Sequence, residues 1–295
     1  GAHGLRRDAA RLVVGAGSGG AGPHRRTLTF TGPAAGAYTA LMRPTATLLV
    51  LILASTPVGA EVVVRVSGSQ VELTATAAPV ADFFTVFARA GDARKLTIFL
   101  VERDFPGVTV GRAIEKMGVW ALPTSELAFA GCFVPDSHRL SRVEGDGEEH
   151  LKKTLAEIRI ITGAMALGVS RAALDEATRY AGERQQFGKP INRFQAIQSK
   201  LAEMATDHEA AVHIVRYAAW CRDTGAPHHK EAAMAKLFAT EAAARICDQA
   251  ARVLASYGYA MEFPVQRYLR DVRFTLIGGG TSEILKLIIA KEMTR

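Results

Sequence analysis

Residues 151–180, LKKTLAEIRIITGAMALGVSRAALDEATRY, decide the fold of the second half of this chain. Apolar side chains recur there three and four positions apart, which places them on one face of an α-helix. Similar patterns begin near Phe194, near Lys230 and near Thr281, and breaks rich in glycine or proline separate them. Four amphipathic helices joined by short breaks predict a four-helix bundle.

Upstream of these helices the sequence is typical of β-strands. Five short runs rich in β-branched or aromatic residues lie between residues 61 and 140, and turn signals such as Phe105-Pro106-Gly107 separate them. No helical pattern lies between the runs, which favours antiparallel strands over βαβ units. We therefore predict an α+β fold made of an atypical basic segment at 1–60, a partial antiparallel β-domain at 61–145 and the four-helix bundle at 146–295.

The net charge does not indicate a polyanionic partner. The 295 residues carry a formal charge of +7 at pH 7, but residues 1–60 hold six arginines and a single acidic residue. The rest of the chain is therefore nearly neutral, and we expect neither nucleic acid nor a membrane as a partner. A basic nucleic-acid or membrane module would rest on residues 1–60 alone. The arginine, glycine, alanine and proline bias there indicates that residues 1–75 are a truncated, rearranged or frame-shifted start.

The cysteines and histidines favour a reducing compartment without a metal site. Cys132, Cys221 and Cys247 are widely spaced and form no CxxC pair, which predicts buried free thiols and a cytoplasmic location. The stretch 42–60 imitates a signal peptide but lies inside the sequence. The histidines lack metal-ligand spacing, so we expect no metal. We interpret GAGSGG at 15–20 as low-complexity sequence, because no helix pattern follows it.

Two segments combine residue types that bind anions. Arg184 follows the first predicted helix, next to a glycine turn and Phe187, and such a group can clamp a diphosphate and stack on an aromatic ring. The second segment is Gly278-Gly279-Gly280-Thr281-Ser282-Glu283, where a glycine-rich turn opens a helix and leaves free N–H groups. Taken alone, the second segment is equally typical of an ordinary capped helix start.

Three longer stretches of sequence contain these two segments and resemble a known family. They are GERQQFGKPINRFQAIQSKLAEMA at 182–205, VLASYGYAMEFPVQRYLRDVR at 253–273 and IGGGTSEILKLIIAKEM at 277–293. Together with the strand region, they resemble the acyl-CoA dehydrogenase family over about residues 80–295, whereas the family's N-terminal helical domain is not recognisable. The resemblance implies a flavoprotein of fatty acid metabolism that binds FAD and removes hydrogen from the α and β carbons of an acyl-CoA thioester. It also implies an electron-transfer flavoprotein as partner and a homo- or hetero-tetramer.

The resemblance also assigns roles to single residues. Arg184, Phe187 and Gln195 would meet the FAD of an adjoining subunit. Thr281 and Glu283 would contact its adenosine part, and Gly258 belongs to a cofactor-binding loop. In the β-domain, Thr76 alone matches a family Trp-Ile-Thr motif. Arg159 occupies the position of a residue that holds the CoA portion.

The catalytic base of the family has no equivalent here. Its two usual positions hold Gly279 and Ile158, and neither side chain accepts a proton. Glu157 is adjacent to Ile158 but is turned by about 100° on the helix, which leaves it a poor candidate. Two hypotheses follow: an enzyme of this class with impaired activity, or a catalytically silent partner subunit that lends Arg184 and Gln195 to a neighbour's FAD.

Overall fold

The computed structural model describes residues 70–90, 95–140 and 146–294, together with the backbone of five strands within residues 9–67. Those strands are β1 (Ala9–Gly15), β2 (Arg26–Gly32), β3 (Ala35–Met42), β4 (Ile52–Ala54) and β5 (Val63–Ser67). Apart from these backbones, the atypical segment 1–60 lies outside the described residues. The same holds for the low-complexity stretch at 15–20 and the signal-like stretch at 42–60.

Six further strands complete the β region. They are β6 (Gln70–Thr76), β7 (Phe83–Ala90), β8 (Lys95–Glu102), β9 (Val108–Ala113), β10 (Thr124–Phe129) and β11 (Phe133–Pro135). The strands form sheets ordered β11-β1-β2-β3, β5-β6-β10-β9 and β4-β7-β8, and all their pairs are antiparallel. The prediction of antiparallel strands is confirmed. Strand β9 and the strands before residue 61 were not predicted.

The β region has an apolar core, and its strands are buried over runs of consecutive residues. Phe84 and Phe87 of β7 and Leu127 of β10 are fully buried, and since Phe84 and Phe87 are three positions apart, β7 is buried on both faces. The turn before β7 is held by Arg103, whose guanidinium donates to the carbonyls of Ala78, Pro79 and Ala81 at 3.1–3.2 Å. These bonds anchor the segment that directly follows the end of β6.

The second half of the chain is helical. Its helices are α1 (Gly147–Glu183), α2 (Gln195–Asp223), α3 (His229–Leu254), α4 (Val265–Thr275) and α5 (Ser282–Met293), and a short hairpin of β12 (Gln185–Gln186) and β13 (Lys189–Pro190) follows α1. The α+β fold class is confirmed, and each of the four predicted helices is present. The short helix α4 is an addition: it is mostly polar, begins directly after Pro264 and buries only Val265, Val272 and Thr275.

Helix α3 lies at the centre of the helical core. Its buried residues include seven alanines, and such small side chains let neighbouring helices approach closely. Lys236 is the one charged residue among the buried residues of α3, and its side chain is fully buried. None of the helices in the described part of the chain combines the length and apolar character that a bilayer span requires.

The chain divides into two compact units, 1–115 with 121–152, and 116–120 with 153–295. Residues 116–120 thus belong with the helices. The backbone N–H of Val119 donates to Asp271 Oδ1 at 2.6 Å, and the Arg270 guanidinium lies 4.4 Å from the centre of the Trp120 ring. This packing is not visible in the sequence, because the segment precedes its helical partner by about 150 residues. The domain bounds 61–145 and 146–295 stay a prediction.

Candidate functional site

The loop between α4 and α5 brings the two base positions of the family together. Gly279 has a φ of +77°, a left-handed conformation that favours glycine. A Cβ atom at Gly279 would lie 3.4 Å from Ile158 Cγ2 and 3.4 Å from Thr162 Oγ1, both on α1. A side chain at position 279 and one at position 158 would therefore enter the same space. The structure places no carboxylate at either position.

Arg159 borders this space and is almost completely buried. Its side chain is 3% exposed, and Nε donates to the Gly279 carbonyl at 3.3 Å. Its Nη1 has no hydrogen-bond partner among the residues that the structure describes. Burial lowers the pKa of the Arg159 guanidinium to about 10, so the group remains charged at neutral pH. A buried cation with an unused donor is suited to binding an anion.

Lys236 holds the loop from the other side. Its Nζ donates to the Gly280 carbonyl at 2.7 Å and to the Leu276 carbonyl at 3.1 Å. These two acceptors flank Gly279, so the lysine fixes the loop on α3. Lys236 was not among the predicted site residues, although a single charged residue on the alanine-rich face of α3 was a usable signal.

The start of α5 adds polar groups next to the same loop. Thr281 is the residue before the helix, with extended backbone, and Glu283 lies in the first turn. The Glu283 backbone N–H and the Thr281 hydroxyl lower the pKa of the Glu283 carboxyl through hydrogen bonds. Ser282 Oγ donates to Glu241 Oε1 at 2.6 Å, which ties α5 to α3. Both predicted residues, Thr281 and Glu283, thus lie within four residues of Gly279.

A second group of predicted residues lies at the far end of α1. Phe187 and Gly188 form the turn of the β12–β13 hairpin, with φ values of 50° and 78°, which are typical of a type I′ turn. The Phe187 ring is 92% exposed, in contact with Phe194 at a centroid distance of 6.1 Å. Arg184 is exposed beside the hairpin, and its guanidinium lies 6.0 Å from the centre of the Tyr257 ring. Gln195, also exposed, begins α2.

Gly258 supports this second group through a close backbone contact. It ends a 3-10 helix at Ala255–Gly258, and a Cβ atom here would overlap the Ala251 carbonyl. A larger residue would displace the loop that carries Tyr257. The adjacent Tyr259 is 93% exposed. Gly258 therefore shapes the backbone that faces Arg184.

The two groups lie far apart in one chain. Ile158 and Glu183 are separated by 25 residues of α1, or about 38 Å at 1.5 Å per residue. A flavin adenine dinucleotide is shorter than this. The Gly279 group and the Arg184–Phe187 group of one chain therefore cannot contact the same dinucleotide.

The remaining predicted residues are placed elsewhere. Glu157 is exposed on another side of α1, where its Oε1 accepts from Arg222 Nη2 at 3.2 Å. Thr76 ends β6 in the β unit, where it is 5% exposed and pairs with Thr124. Cys132, Cys221 and Cys247 are free and buried, as predicted. The binding and catalytic roles assigned to these and the other site residues stay predictions.

The exposed groups on the helical unit fit the chemistry of a flavin dinucleotide. Arg184 offers a charged donor for a diphosphate, and Phe187 offers an unburied ring for stacking. An aromatic side chain exposed over nine-tenths of its surface on a tight turn is not explained by packing within this chain. The residues present therefore fit FAD.

Comparisons with known proteins show which family the chain resembles over most of its length. Residues 68–132 match the acyl-CoA dehydrogenase middle domain, and residues 145–294 match the acyl-CoA dehydrogenase C-terminal domain. Benzylmalonyl-CoA dehydrogenase of Aromatoleum aromaticum is 82% identical over 219 residues, which cover 74% of this chain and 58% of that protein. The chain thus spans less than two thirds of the length of this relative.

Solved structures show the same fold. Butyryl-CoA dehydrogenase from Megasphaera elsdenii superposes with a TM-score of 0.73 at 33% identity, over 83% of this chain and 68% of that one. The structure of PigA with FAD and proline superposes with a TM-score of 0.72 at 27% identity, over 80% of this chain and 63% of that one. Because the C-terminal match spans all five helices of the described part, the chain belongs to the acyl-CoA dehydrogenase family.

Proposed function

We propose that this chain binds FAD and takes part in the α,β-dehydrogenation of an acyl-CoA thioester. The observation that carries the proposal is the position of Gly279 beside Ile158. The two residues are 121 positions apart in sequence, yet a Cβ atom at Gly279 would lie 3.4 Å from Ile158 Cγ2. The two positions at which the family carries its base thus lie side by side here, although neither holds a carboxylate. The family match and the fit of Arg184 and Phe187 to FAD support the same function.

The cofactor would be held between two copies of the chain. Thr281 and Glu283 of one copy would bind the dinucleotide, and Arg184, Phe187 and Gln195 would reach it from a second copy. The distance along α1 supports this arrangement, because one chain cannot supply both groups. Bound flavin would supply the two-electron acceptor for hydride leaving the β carbon. An electron-transfer flavoprotein would then reoxidise it, and a tetramer would contain two such pairs.

The substrate is a thioester with an additional carboxylate. The relative at 82% identity is named for benzylmalonyl-CoA, whose α carbon bears both a benzyl group and a carboxylate. Such identity over 219 residues supports a substrate of the same class here, an arylalkylmalonyl-CoA. We therefore place this chemistry, rather than the oxidation of a plain fatty acyl chain, at the Gly279 site.

A silent partner subunit is the second candidate. It is favoured by one observation: the two positions of the family's base hold Gly279 and Ile158, and neither side chain accepts a proton. In that case the chain would lend its hairpin to a neighbour's FAD, and oxidation would need a second subunit that carries the base.

One set of measurements separates the two. After FAD is added and unbound FAD is removed, the purified protein is expected to keep a visible flavin spectrum. Addition of benzylmalonyl-CoA without oxygen is expected to bleach this bound flavin. Protein that stays colourless with excess FAD excludes the proposal. A yellow protein that bleaches only after a base-bearing family member is added would identify the silent partner. Loss of bleaching in Glu157→Gln, with an unchanged flavin spectrum, would make Glu157 the base.

A further inference from the structure

The hairpin after α1 carries a second cation, Lys189, to which the family resemblance assigns no role. We propose that Lys189 binds the diphosphate of FAD together with Arg184. The rings of Phe194 and Tyr257 position these two cations without neutralising them. The inference rests on the proposed function, because it concerns the same dinucleotide. It adds one binding residue and two positioning residues to that site.

The first argument is the environment of the two cations, both of which are exposed. Lys189 Nζ lies 4.6 Å from the centre of the Phe194 ring. The Arg184 guanidinium lies 6.0 Å from the centre of the Tyr257 ring. A ring face attracts a cation but leaves its positive charge in place, whereas a carboxylate cancels it. In the part of the chain that the structure describes, no carboxylate pairs with either cation, so both charges remain available to a ligand.

The carboxylate next to Arg184 in the sequence is engaged elsewhere. Glu183 directly precedes Arg184, yet its Oε2 accepts from Arg179 Nη1 at 2.6 Å. The other exposed arginine of α1, Arg171, also has a carboxylate partner, Asp175, at 2.9 Å. Arg184 thus differs from the exposed arginines of the preceding helix in having a ring, and not a counter-ion, as its neighbour.

Aromatic neighbours hold the two rings in place. Tyr257 packs against Phe263 at a centroid distance of 4.8 Å and against Tyr180 at 6.1 Å. Phe194 contacts the Phe187 ring at 6.1 Å. This packing fixes where each ring face lies, and therefore where each cation lies before a ligand arrives. Cations that are already in position lower the ordering cost of binding.

The register of the hairpin places both cations on one face. Gln186 pairs with Lys189 across the turn. The Ile191 N–H donates to the Arg184 carbonyl at 2.9 Å, which extends the same ladder beyond the two strands. Because residues two apart along a strand face the same way, Arg184 shares a face with Gln186 and thus with Lys189. A diphosphate diester carries one negative charge on each phosphate, so two cations on one face match it.

Titration with FAD, followed by flavin fluorescence, tests the binding role of Lys189. Lys189→Gln is expected to weaken FAD binding about tenfold, the loss expected of one charge-assisted contact. Lys189→Arg keeps the charge and is expected to stay within about threefold of the unaltered protein. Arg193→Gln is the matched control, because it removes an exposed cation close by in the sequence and should change the Kd less than about twofold. Equal Kd values for Lys189→Gln and Arg193→Gln would overturn the inference.

A double-mutant cycle tests whether Tyr257 acts through Arg184. Tyr257→Leu removes the ring face and is expected to weaken FAD binding about two- to fivefold, whereas Tyr257→Phe keeps the face and the affinity. In an Arg184→Gln background, Tyr257→Leu is expected to have no further effect. Phe194→Leu is expected to behave in the same way in a Lys189→Gln background. The same loss in both backgrounds would show that the rings serve only the packing of the loops.

ADP separates this inference from the proposed function, because it carries the adenine and the diphosphate but no flavin. Its binding is measured by calorimetry on the full chain. If ADP binds and FAD does not, and Lys189→Gln weakens ADP binding about tenfold, the proposed function fails and the diphosphate site stands. If FAD binds equally well to the unaltered protein and to Lys189→Gln, the proposed function stands and the inference fails. Protein that binds neither ligand overturns both.

Discussion

At the scale of single residues, Lys236 is the clearest example of a charge that organises a loop. Its fully buried ammonium donates to the carbonyls of Leu276 and Gly280, one before and one after Gly279. A lysine is an expensive residue to bury, so its presence at the centre of α3 is explained by the two carbonyls that it satisfies. It acts as a positioning residue for the loop.

Replacing this lysine leaves two buried acceptors without a donor. We expect Lys236→Met to lower the free energy of unfolding by about 1–3 kcal/mol, measured by urea denaturation. Lys286→Met is the matched control, because Lys286 is exposed on α5, and its effect should stay within about 0.5 kcal/mol. Equal stability of both variants would mean that water or another donor replaces the Lys236 bonds.

The buried cysteines are expected to be unreactive at mildly alkaline pH. Burial raises the pKa of Cys132 to about 11 and that of Cys247 to about 12. At pH 8 roughly one Cys247 thiol in ten thousand is a thiolate, which is the reactive form. We expect iodoacetamide at pH 8 to leave both cysteines unmodified in the folded protein and to modify them in urea, as read by mass spectrometry. Rapid labelling of Cys247 in the native state would contradict the burial.

At the scale of elements, the β12–β13 hairpin presents an aromatic ring that the chain itself does not cover. Both turn residues have positive φ, and Phe187 is not a glycine, so the turn carries some backbone strain. The strain is explained if the exposed ring has a binding role. The proposed partner is the FAD of a second copy.

This element can be tested by removing the ring alone. Phe187→Ala is expected to weaken FAD binding by about tenfold, since base-stacking contacts contribute about 1–3 kcal/mol, and to leave the melting temperature unchanged. Trp220→Ala removes another exposed aromatic, on α2, and should leave the FAD affinity unchanged. Flavin fluorescence titration measures both. Equal affinities for the two variants would remove the hairpin from the cofactor site.

At the scale of the whole molecule, the length of α1 separates the two halves of the proposed cofactor site by about 38 Å. Each complete site would then need two chains. This requirement makes cofactor binding a property of the assembly, and it allows complementation between two defective chains.

Co-expression provides that test. An Arg184→Ala, Phe187→Ala chain and a Thr281→Ala, Glu283→Ala chain should each bind little FAD alone. A mixed pair contains one intact site and one doubly altered site, so purified mixed pairs should bind about one FAD per two chains. Absorbance at the flavin band measures the ratio. Mixed pairs that bind no FAD would show that one chain supplies the whole site.

Much of this architecture follows from the sequence alone. Runs of β-branched and aromatic residues between turn signals reveal the strands in 61–140 except β9, and apolar side chains spaced three to four residues apart reveal four of the five helices. The turn after Arg184 and the helix start at Thr281 were predicted for a similar reason, since turn and capping signals are short-range. Helix α4 was not predicted although its buried residues Val265 and Val272 lie seven positions apart, a helical spacing, because a helix of 11 residues lets that period repeat hardly more than once.

Other features depend on contacts between residues distant in sequence. Only the tertiary structure places Gly279 against Ile158, sets Lys236 beneath the Gly278–Gly280 loop and packs Trp120 against Arg270. It also shows that Arg159 is buried with an unused donor, which no local pattern encodes, because burial depends on what the rest of the chain lays over a residue. The sequence by itself thus determined the family and most of the elements after residue 61. Packing between those elements decided which charges face the space beside Gly279.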